Sequence, residues 1–559
     1  MSHFSFSKWR NCFVFAAMGS VLFALSDVGA VFNELKIVLS NEEEFLLLVT
    51  ATCLGLVPAF FLSLFLCFFP IPDENISWSG FISGLLTMIF MDQFERRIDD
   101  PPAFVQEQSI LSVLGVVVLS AAVAYIIYRP PKPKVKMAVV LLISFSMAGS
   151  LASISPKQES SEILDNAPSV MLITLDAARF DHFDTTAELF CCPFYKSLVE
   201  QGIVFTNAYT QIPVSGPAHA AILSGDGPWR SKVYDSTMKI PEQQVLLAEY
   251  FKELGYATGG FVGSSRLNSQ QGFARGFETY DDDFFNVRGL NQTFWGRLYS
   301  RWFSPPIERI GSQTVDQAIR WLDTVEKPFF TWVQLNEPHG PYDPPPPWDK
   351  DYYSGDPYDP AHTTMPELSK LPEYQQEHLT QIKDKKWVEA QYKGELSTAD
   401  VQLGRLMTWL EENDRADNTL LIFVGAYGEN FGEDDVWFDH GSALNEQALH
   451  VPLVIRFPEI FRDVNNLSIV NELVELIDIT PAIFELIGQD PLTEIEGKSF
   501  ANIIYQGSGR AFTRATLLTA SGLIASITND EGLFVLPKDN DLLHSESAEM
   551  KAAQQVLGQ

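Results

Sequence analysis

Four apolar runs in the first 155 residues constrain this chain more than anything else in it. Residues 12–32, 45–71, 110–128 and 137–154 are nearly free of charge, and each is long enough to cross a hydrocarbon layer as a helix. In a bilayer every backbone N–H and C=O must be satisfied within the protein, so such runs become helices or a closed barrel, and uniformly apolar runs of this length select helices. Residues 76–94 form a weaker fifth run, with Gly80, Gly84 and Asp92. The first run reads as a span and not as a cleaved signal peptide, because further spans follow it. Asp27, in the outer third of the first run, is either a group at the interface or a functional intramembrane carboxylate.

Orientation follows from Lys and Arg near the span ends. With five spans, Lys8, Arg10, Arg129, Lys132, Lys134 and Lys136 lie in the cytoplasm and Lys36, Arg96, Arg97 and Lys157 outside. With four, the count is balanced and the remainder of the chain falls in the cytoplasm. The asymmetry favours five. The sequence therefore predicts a transmembrane bundle of about five helices over 1–155 and a linker over 156–167. It sits in the cytoplasmic (inner) membrane, multi-pass and in contact with membrane lipids, with a large periplasmic or otherwise external domain.

A formal net charge of −32 excludes nucleic acid as a partner, since binding phosphate backbones takes Lys and Arg. The five cysteines suggest no disulfide framework. Three lie in the apolar runs, and Cys191 and Cys192 are adjacent, a pairing that chain geometry disfavours.

From residue 169 the pattern changes. Short apolar runs at 170–175, 259–262, 329–335, 420–424 and 452–455 read as buried parallel strands. Helical spacing of apolar residues recurs at 245–254, 315–325 and 399–410. Alternation of this kind predicts an α/β fold with a doubly wound, mostly parallel sheet flanked by helices. Ligands of such sheets bind beyond the carboxyl ends of the strands. Asp176, Asn336, Glu337, His339, Gly425, Ala426, Tyr427 and Glu429 follow strands directly, and His440 comes shortly after. Residues 342–366, rich in Pro, Asp and Tyr, read as a long surface loop that could cover those strand ends. Beyond residue 505 the tail shows strand-like runs at 523–528 and 533–536 and then a polar helical end, a small subdomain over 506–559.

One stretch needs weighing by itself: Gln211-Ile-Pro-Val-Ser-Gly-Pro-Ala-His-Ala-Ala-Ile-Leu-Ser-Gly225. It sets Ser215 where an extended run turns into a helix. Serine is a preferred helix cap, with Pro just inside the start. Equally, a hydroxyl at a helix N-terminus is well placed to meet an anion.

At these residues the chain resembles the sulfatase family of the alkaline phosphatase superfamily. Leu172-Ile-Thr-Leu-Asp-Ala-Ala-Arg-Phe-Asp-His182 is similar to its opening strand and first metal ligand, and Ser215-Gly-Pro-Ala-His219 falls on its nucleophile motif. Glu337-Pro-His-Gly-Pro-Tyr342, Tyr392-Lys-Gly-Glu-Leu396 and Ile477-Asp-Ile-Thr-Pro481 continue the match in order, over roughly residues 168–500. The resemblance implies an alkaline-phosphatase-like fold and hydrolysis or transfer of sulfate or phosphate esters, with an anionic ester as substrate. It implies Asp176 and Ser215 as ligands of a divalent metal (calcium, magnesium, manganese or zinc), and Ser215, His219, His339 and His440 as catalytic residues. The metal would polarise the ester and activate the nucleophile. Family sulfatases convert a Cys or Ser to formylglycine; His219 in place of the motif's Arg leans toward a plain hydroxyl.

The sequence also departs from the family. Where relatives carry paired carboxylates it reads Asp176-Ala177, and where they carry Asp followed by His or Asn it reads Ala426-Tyr427. Two protein ligands hold calcium or magnesium weakly. Either one of the nearby acids, Glu429, Glu433, Asp434, Asp435 or Asp439, completes the site, or that run is a solvated loop. Two readings follow: a membrane-anchored ester hydrolase, or a protein that kept the fold as a regulatory or binding module. Arg179 and Asp181 read as a structural ion pair.

Overall fold

The computed structural model describes residues 167–186, 191–284, 308–459, 468–489, 494–501, 513–519, 522–529 and 532–536. All belong to the second of two units into which the chain divides, Ser160–Phe284 with Pro306–Gln559. The expected spans, nearly all of the linker and the polar end of the tail lie outside the described residues. Among the described residues no helix is long and apolar enough to cross a membrane.

Strand β1 (Ser169–Leu175) is buried along its whole length, as its unbroken apolar run requires of a strand covered on both faces. Its side chains alternate between two cores. Val170 and Leu172 enter one, and Met171, Ile173 and Leu175 enter the other, the two-residue period of a strand. The first core is closed by α2 (Ser215–Ser224), α3 (Leu247–Glu253) and α7 (Ile479–Leu486). The second is closed by α1 (Pro193–Gln201), α4 (Gly311–Leu322) and α6 (Lys385–Glu412). Two helical layers around one sheet is the predicted architecture.

β1 pairs in parallel with β5 (Phe329–Leu335) and β6 (Thr419–Gly425). Beyond β5 lie β3 (Ala257–Val262) and the edge strand β4 (Thr279–Asp281), both parallel. Beyond β6 come β9 (His450–Arg456) and β2 (Ile203–Tyr209), with short β10 (Ile469–Val470) and β11 (Val474–Glu475) both on β2. The expected parallel strand at 452–455 is corrected here: β9 runs antiparallel to both neighbours. A strand buried on both faces is apolar in either direction, so composition could not set its sense. What sets it is the link from β6, which carries the small hairpin of β7 (Asn430–Phe431) and β8 (Trp437–Asp439) and only a four-residue helix; it lacks the long crossover helix that usually joins parallel neighbours.

The tail forms a separate antiparallel sheet, β12 (Thr513–Thr519), β13 (Gly522–Asn529) and β14 (Gly532–Leu536). It holds the residues leading into α2, because Thr516 N–H donates to Gln211 O at 2.7 Å. Arg514 donates to Glu475 and Glu496 at 2.8–3.1 Å and lies over Trp229.

Candidate active site

The strand ends of β1, β5 and β6 stand side by side. Asp176 N–H donates to Leu335 O at 3.2 Å and Ala426 N–H to Leu175 O at 2.8 Å. The side chains of Asp176, Asn336 and Tyr427 therefore leave one edge of the sheet, where α/β sheets bind ligands.

Ser215 is the first residue of α2. The cap is Val214, in extended conformation (φ −143°, ψ 130°), and no side chain caps the helix. The capping account of Ser215 is thereby corrected. Its Oγ is buried and has no hydrogen-bond partner among the described residues. A buried hydroxyl left unpaired costs roughly 1–3 kcal/mol, so helix stability does not explain this serine. Next to it, Gly216 N–H donates to Ser236 Oγ at 3.0 Å, and a Cβ at Gly216 would lie 2.9 Å from Ser236 Cα. Only glycine lets the 232–240 loop lie that close over the helix start.

His219, expected among the catalytic residues, is fully buried one turn below Ser215. Its Nδ1 lies 2.8 Å from Ser215 O and its Nε2 2.9 Å from Thr174 Oγ1. A carbonyl only accepts, so Nδ1 carries the proton and Nε2 accepts from Thr174. Thr174 in turn accepts from Trp332 Nε1 at 3.0 Å. Burial pushes the imidazole pKa down, against the pull of Asp176 and the Ser215 carbonyl. A neutral ring with both nitrogens engaged and no exposure supports Ser215 from beneath and does not reach a ligand.

Asp176 is fully buried. Oδ1 accepts from Gln334 Nε2 at 3.0 Å and Oδ2 from the Tyr427 phenol at 2.7 Å, with His219 Nε2 3.6 Å away. Gln334 Oε1 accepts from Gly263 and Ser264 N–H at 2.7 and 3.1 Å, which turns its amide nitrogen toward Asp176. Burial first, then the charge of Asp176, pushes the Tyr427 phenol pKa well up, so it stays a donor. Among the described residues no three His, Cys, Asp or Glu gather as a metal-binding group. The expected ligands, Asp176 and Ser215, fall short of the six or more oxygens calcium takes, and both oxygens of Asp176 are already bonded. These residues do not fit a hard divalent cation.

The acids downstream do not repair the deficit. Glu429 is fully buried, but its Oε2 accepts from Tyr342 at 3.1 Å and faces His440 Nδ1 at 3.4 Å. Glu433 pairs with Arg179 at 3.1 Å and Asp435 with Lys370 at 2.6 Å, while Asp434 accepts from Asn445 at 2.9 Å. Arg179 and Asp181 form the expected pair, bidentate at 2.9 and 2.7 Å.

His339 and His440 do come together, with ring centroids 5.0 Å apart and their planes inclined at 65°. His339 stacks on Tyr374, from the helix α5 (Glu373–Leu379), at 5.7 Å; its Nδ1 donates to Gly340 O at 2.7 Å and lies 3.5 Å from Glu308. His440 stands against the Tyr427 ring at 4.6 Å. Burial lowers the His440 pKa, but Glu429, then Asp439 and Asp176, outweigh it and the net shift is upward. Glu337 is structural: its Oε1 accepts from the first N–H of α4 at 2.6 Å, a carboxylate at a helix N-terminus.

Residues 168–489 match the family model described as Sulfatase. The chain belongs to the sulfatase family. Among its relatives are a sulfatase of Formosa agariphila, 24% identical over 405 residues (64% of this chain, 76% of that one). The choline-sulfatase of Rhizobium meliloti is 24% identical over 364 residues (57% and 68%). Among solved structures, the phosphonate monoester hydrolase of Agrobacterium radiobacter superposes with a TM-score of 0.54 at 19% identity, covering 70% of this chain and 95% of that one; this supports the sulfatase fold. Sulfatases generally use a divalent metal. Sequence reasoning missed Thr174, Gln334, Glu308 and Tyr374. Thr174 and Gln334 sit inside strands that read simply as buried, and the only signal was a polar residue in an apolar run. Glu308 and Tyr374 lie far from the site in sequence and carried no signal.

Proposed function

We propose that this sulfatase domain binds the anionic head group of a sulfate or phosphate ester at Ser215, His339 and His440, as a binding or regulatory module and not as an efficient hydrolase. The carrying observation is the Ser215 hydroxyl, buried and unpartnered among the described residues. An unpaired donor at a helix start suits an anion. A nucleophile also needs a base within hydrogen-bond reach, and His219, the one imidazole on its helix, is spent on Ser215 O and Thr174. The names of the sulfatase relatives favour a sulfated compound.

A second reading, hydrolysis, is favoured by the raised pKa of His440 beside Glu429. In it Ser215 Oγ gives its proton to solvent and bonds to sulfur or phosphorus while the S–O or P–O bond to the ester oxygen breaks and His440 protonates that oxygen. Water then attacks the sulfur or phosphorus, its proton passing to the neutral His440, and Ser215 Oγ leaves, regaining a proton from solvent as sulfate or phosphate is released. The two readings separate on the full chain in detergent. Binding of inorganic sulfate and 4-nitrophenyl sulfate by calorimetry, weakened about fivefold or more in Ser215→Ala (~1 kcal/mol for one lost hydrogen bond) and without turnover, supports the binding module. Ser215-dependent turnover of the sulfate or phosphate ester at about 1 per second or faster, ordinary for enzymes, establishes the hydrolase.

The anchoring belongs to the same proposal: five spans in the inner membrane, with this domain outside the cytoplasm and close to lipid. The motivation is the Lys and Arg asymmetry of residues 8–157. A reporter fused after Gln559 that is active only in the cytoplasm would overturn it.

A further inference from the structure

We infer that the Tyr427 phenol and the Gln334 amide take the place of a cation on Asp176, so that the strand-end site holds its anionic ester without a divalent metal. This rests on the binding reading above and extends it to what compensates the buried carboxylate. A carboxylate with no exposure must be neutralised or hydrogen-bonded. Here each oxygen receives its own donor, at 3.0 Å from Gln334 and 2.7 Å from Tyr427, and such charge-assisted bonds are the strong ones.

Neither donor is free to leave. Gln334 is oriented by the two backbone N–H groups on its other end. Tyr427 is fully buried, with His440 against its ring, and its flanking residues are fixed by Ala426 N–H on Leu175 O and Gly428 N–H on Ala448 O at 2.8 and 2.9 Å. Ala426, fully buried, offers no side-chain oxygen. The nearest acids are committed elsewhere, Glu429 to Tyr342 and His440, Glu308 to His339. A cation would have to displace both donors and gain one carboxylate in return, against the six or more oxygens it prefers.

The test uses the full chain in detergent, stripped with EDTA. Calcium, magnesium, manganese and zinc are titrated by calorimetry and by thermal unfolding, and sulfate binding is measured with and without EDTA. The expected result is no Asp176-dependent cation binding and a sulfate affinity that EDTA leaves unchanged. Ala426→Asp/Tyr427→His, which supplies two ligands and removes the phenol, gains one cation per chain, with at least a tenfold rise in affinity that Asp176→Asn cancels. If that double variant does not fold, Tyr427→Phe keeps the ring and removes the donor, and a cation raises its melting temperature where it leaves the wild type unmoved. Wild-type binding of one cation per chain that is lost in Asp176→Asn overturns the inference, as does sulfate binding abolished by EDTA. Sulfate that fails to bind under any condition, with no cation bound either, refutes the ester-binding reading and leaves the assignment of Tyr427 standing.

Discussion

Sulfate binding should fall with rising pH, and Glu429 sets where. His440 Nδ1 lies 3.4 Å from Glu429 Oε2. At that separation unit charges attract by about 1 kcal/mol in water and about 5 kcal/mol at an effective dielectric constant of 20. Burial of the ring works against protonation, but Glu429, with Asp439 and Asp176 behind it, leaves the pKa above the ordinary value of 6.5. A raised imidazole pKa keeps His440 protonated to higher pH. The attraction for an anion is therefore full below that pKa and is lost as pH rises through it. Glu429→Gln keeps the size and an acceptor oxygen but removes the charge. At about 1.4 kcal/mol per unit, even the smaller Coulomb figure brings the pKa down by roughly one unit. Sulfate is the right probe because it stays a dianion across the neutral range, whereas phosphate titrates there. Calorimetry across that range should show the wild-type affinity falling about 5–10-fold, or ~1–1.4 kcal/mol, and the same fall about one pH unit lower in Glu429→Gln. His339→Gln serves as control, since its ring centroid is only 5.0 Å from that of His440. An affinity independent of pH, or an unmoved midpoint in Glu429→Gln, refutes the reasoning.

Thr174→Val preserves shape and strips a hydroxyl that serves both His219 and Trp332 at 2.9 and 3.0 Å; two orphaned buried groups should cost roughly 2–5 kcal/mol, read as a lower denaturation midpoint followed by tryptophan fluorescence, and a loss under about 0.5 kcal/mol contradicts the network. Ser215→Ala breaks no side-chain hydrogen bond among the described residues, so thermal unfolding should show stability unchanged or up by about 1 kcal/mol even as sulfate binding weakens. Arg179→Met removes a buried guanidinium from Asp181, Glu433 and Glu429 O and should destabilise by about 3–5 kcal/mol; a much smaller loss in thermal unfolding would show that solvent screens these pairs.

The sheet was legible because its strands are mostly apolar runs bounded by polar residues, and four of the five strands predicted have the predicted sense. β9 was not, since direction leaves no mark on a strand covered on both faces. α6 extends well before its predicted start at 399, to Lys385; its early turns bury Val388, Tyr392 and Leu396 at helical spacing among Lys, Gln and Glu, and the start is set by Asp384, whose side chain accepts from Lys386 N–H, a capping signal of one residue. Of the expected site residues, His339 and His440 come together, and His440 stands against Tyr427, the donor to Asp176, while Ser215 begins α2. His219 shares the Ser215 motif but lies fully buried one turn further along, bonded to Ser215 O and Thr174. Gln334 and Tyr427 matter through their contacts with Asp176, and contacts between strands far apart in sequence are what a single sequence does not show.

Ala426 and Tyr427 bear differently on the backbone and on the Asp176 carboxylate. The ends of β1 and β6 are joined through backbone, by Ala426 N–H on Leu175 O, so the register does not depend on which side chains follow. What does depend on them is how the Asp176 carboxylate is hydrogen-bonded. An aspartate at 426 would set a second buried carboxylate on the adjoining strand end, and without a cation like charges about 4 Å apart repel by roughly 4 kcal/mol at an effective dielectric constant of 20. Alanine removes that repulsion but leaves Asp176 Oδ2 without a donor. Tyrosine at 427 supplies the donor, its ring filling the space beneath His440 and its phenol ending 2.7 Å from the carboxylate. Ala426 and Tyr427 are thus complementary, one adding no charge and the other satisfying the carboxylate already there, and an aspartate at 426 or a phenylalanine at 427 would each leave the strand end worse off.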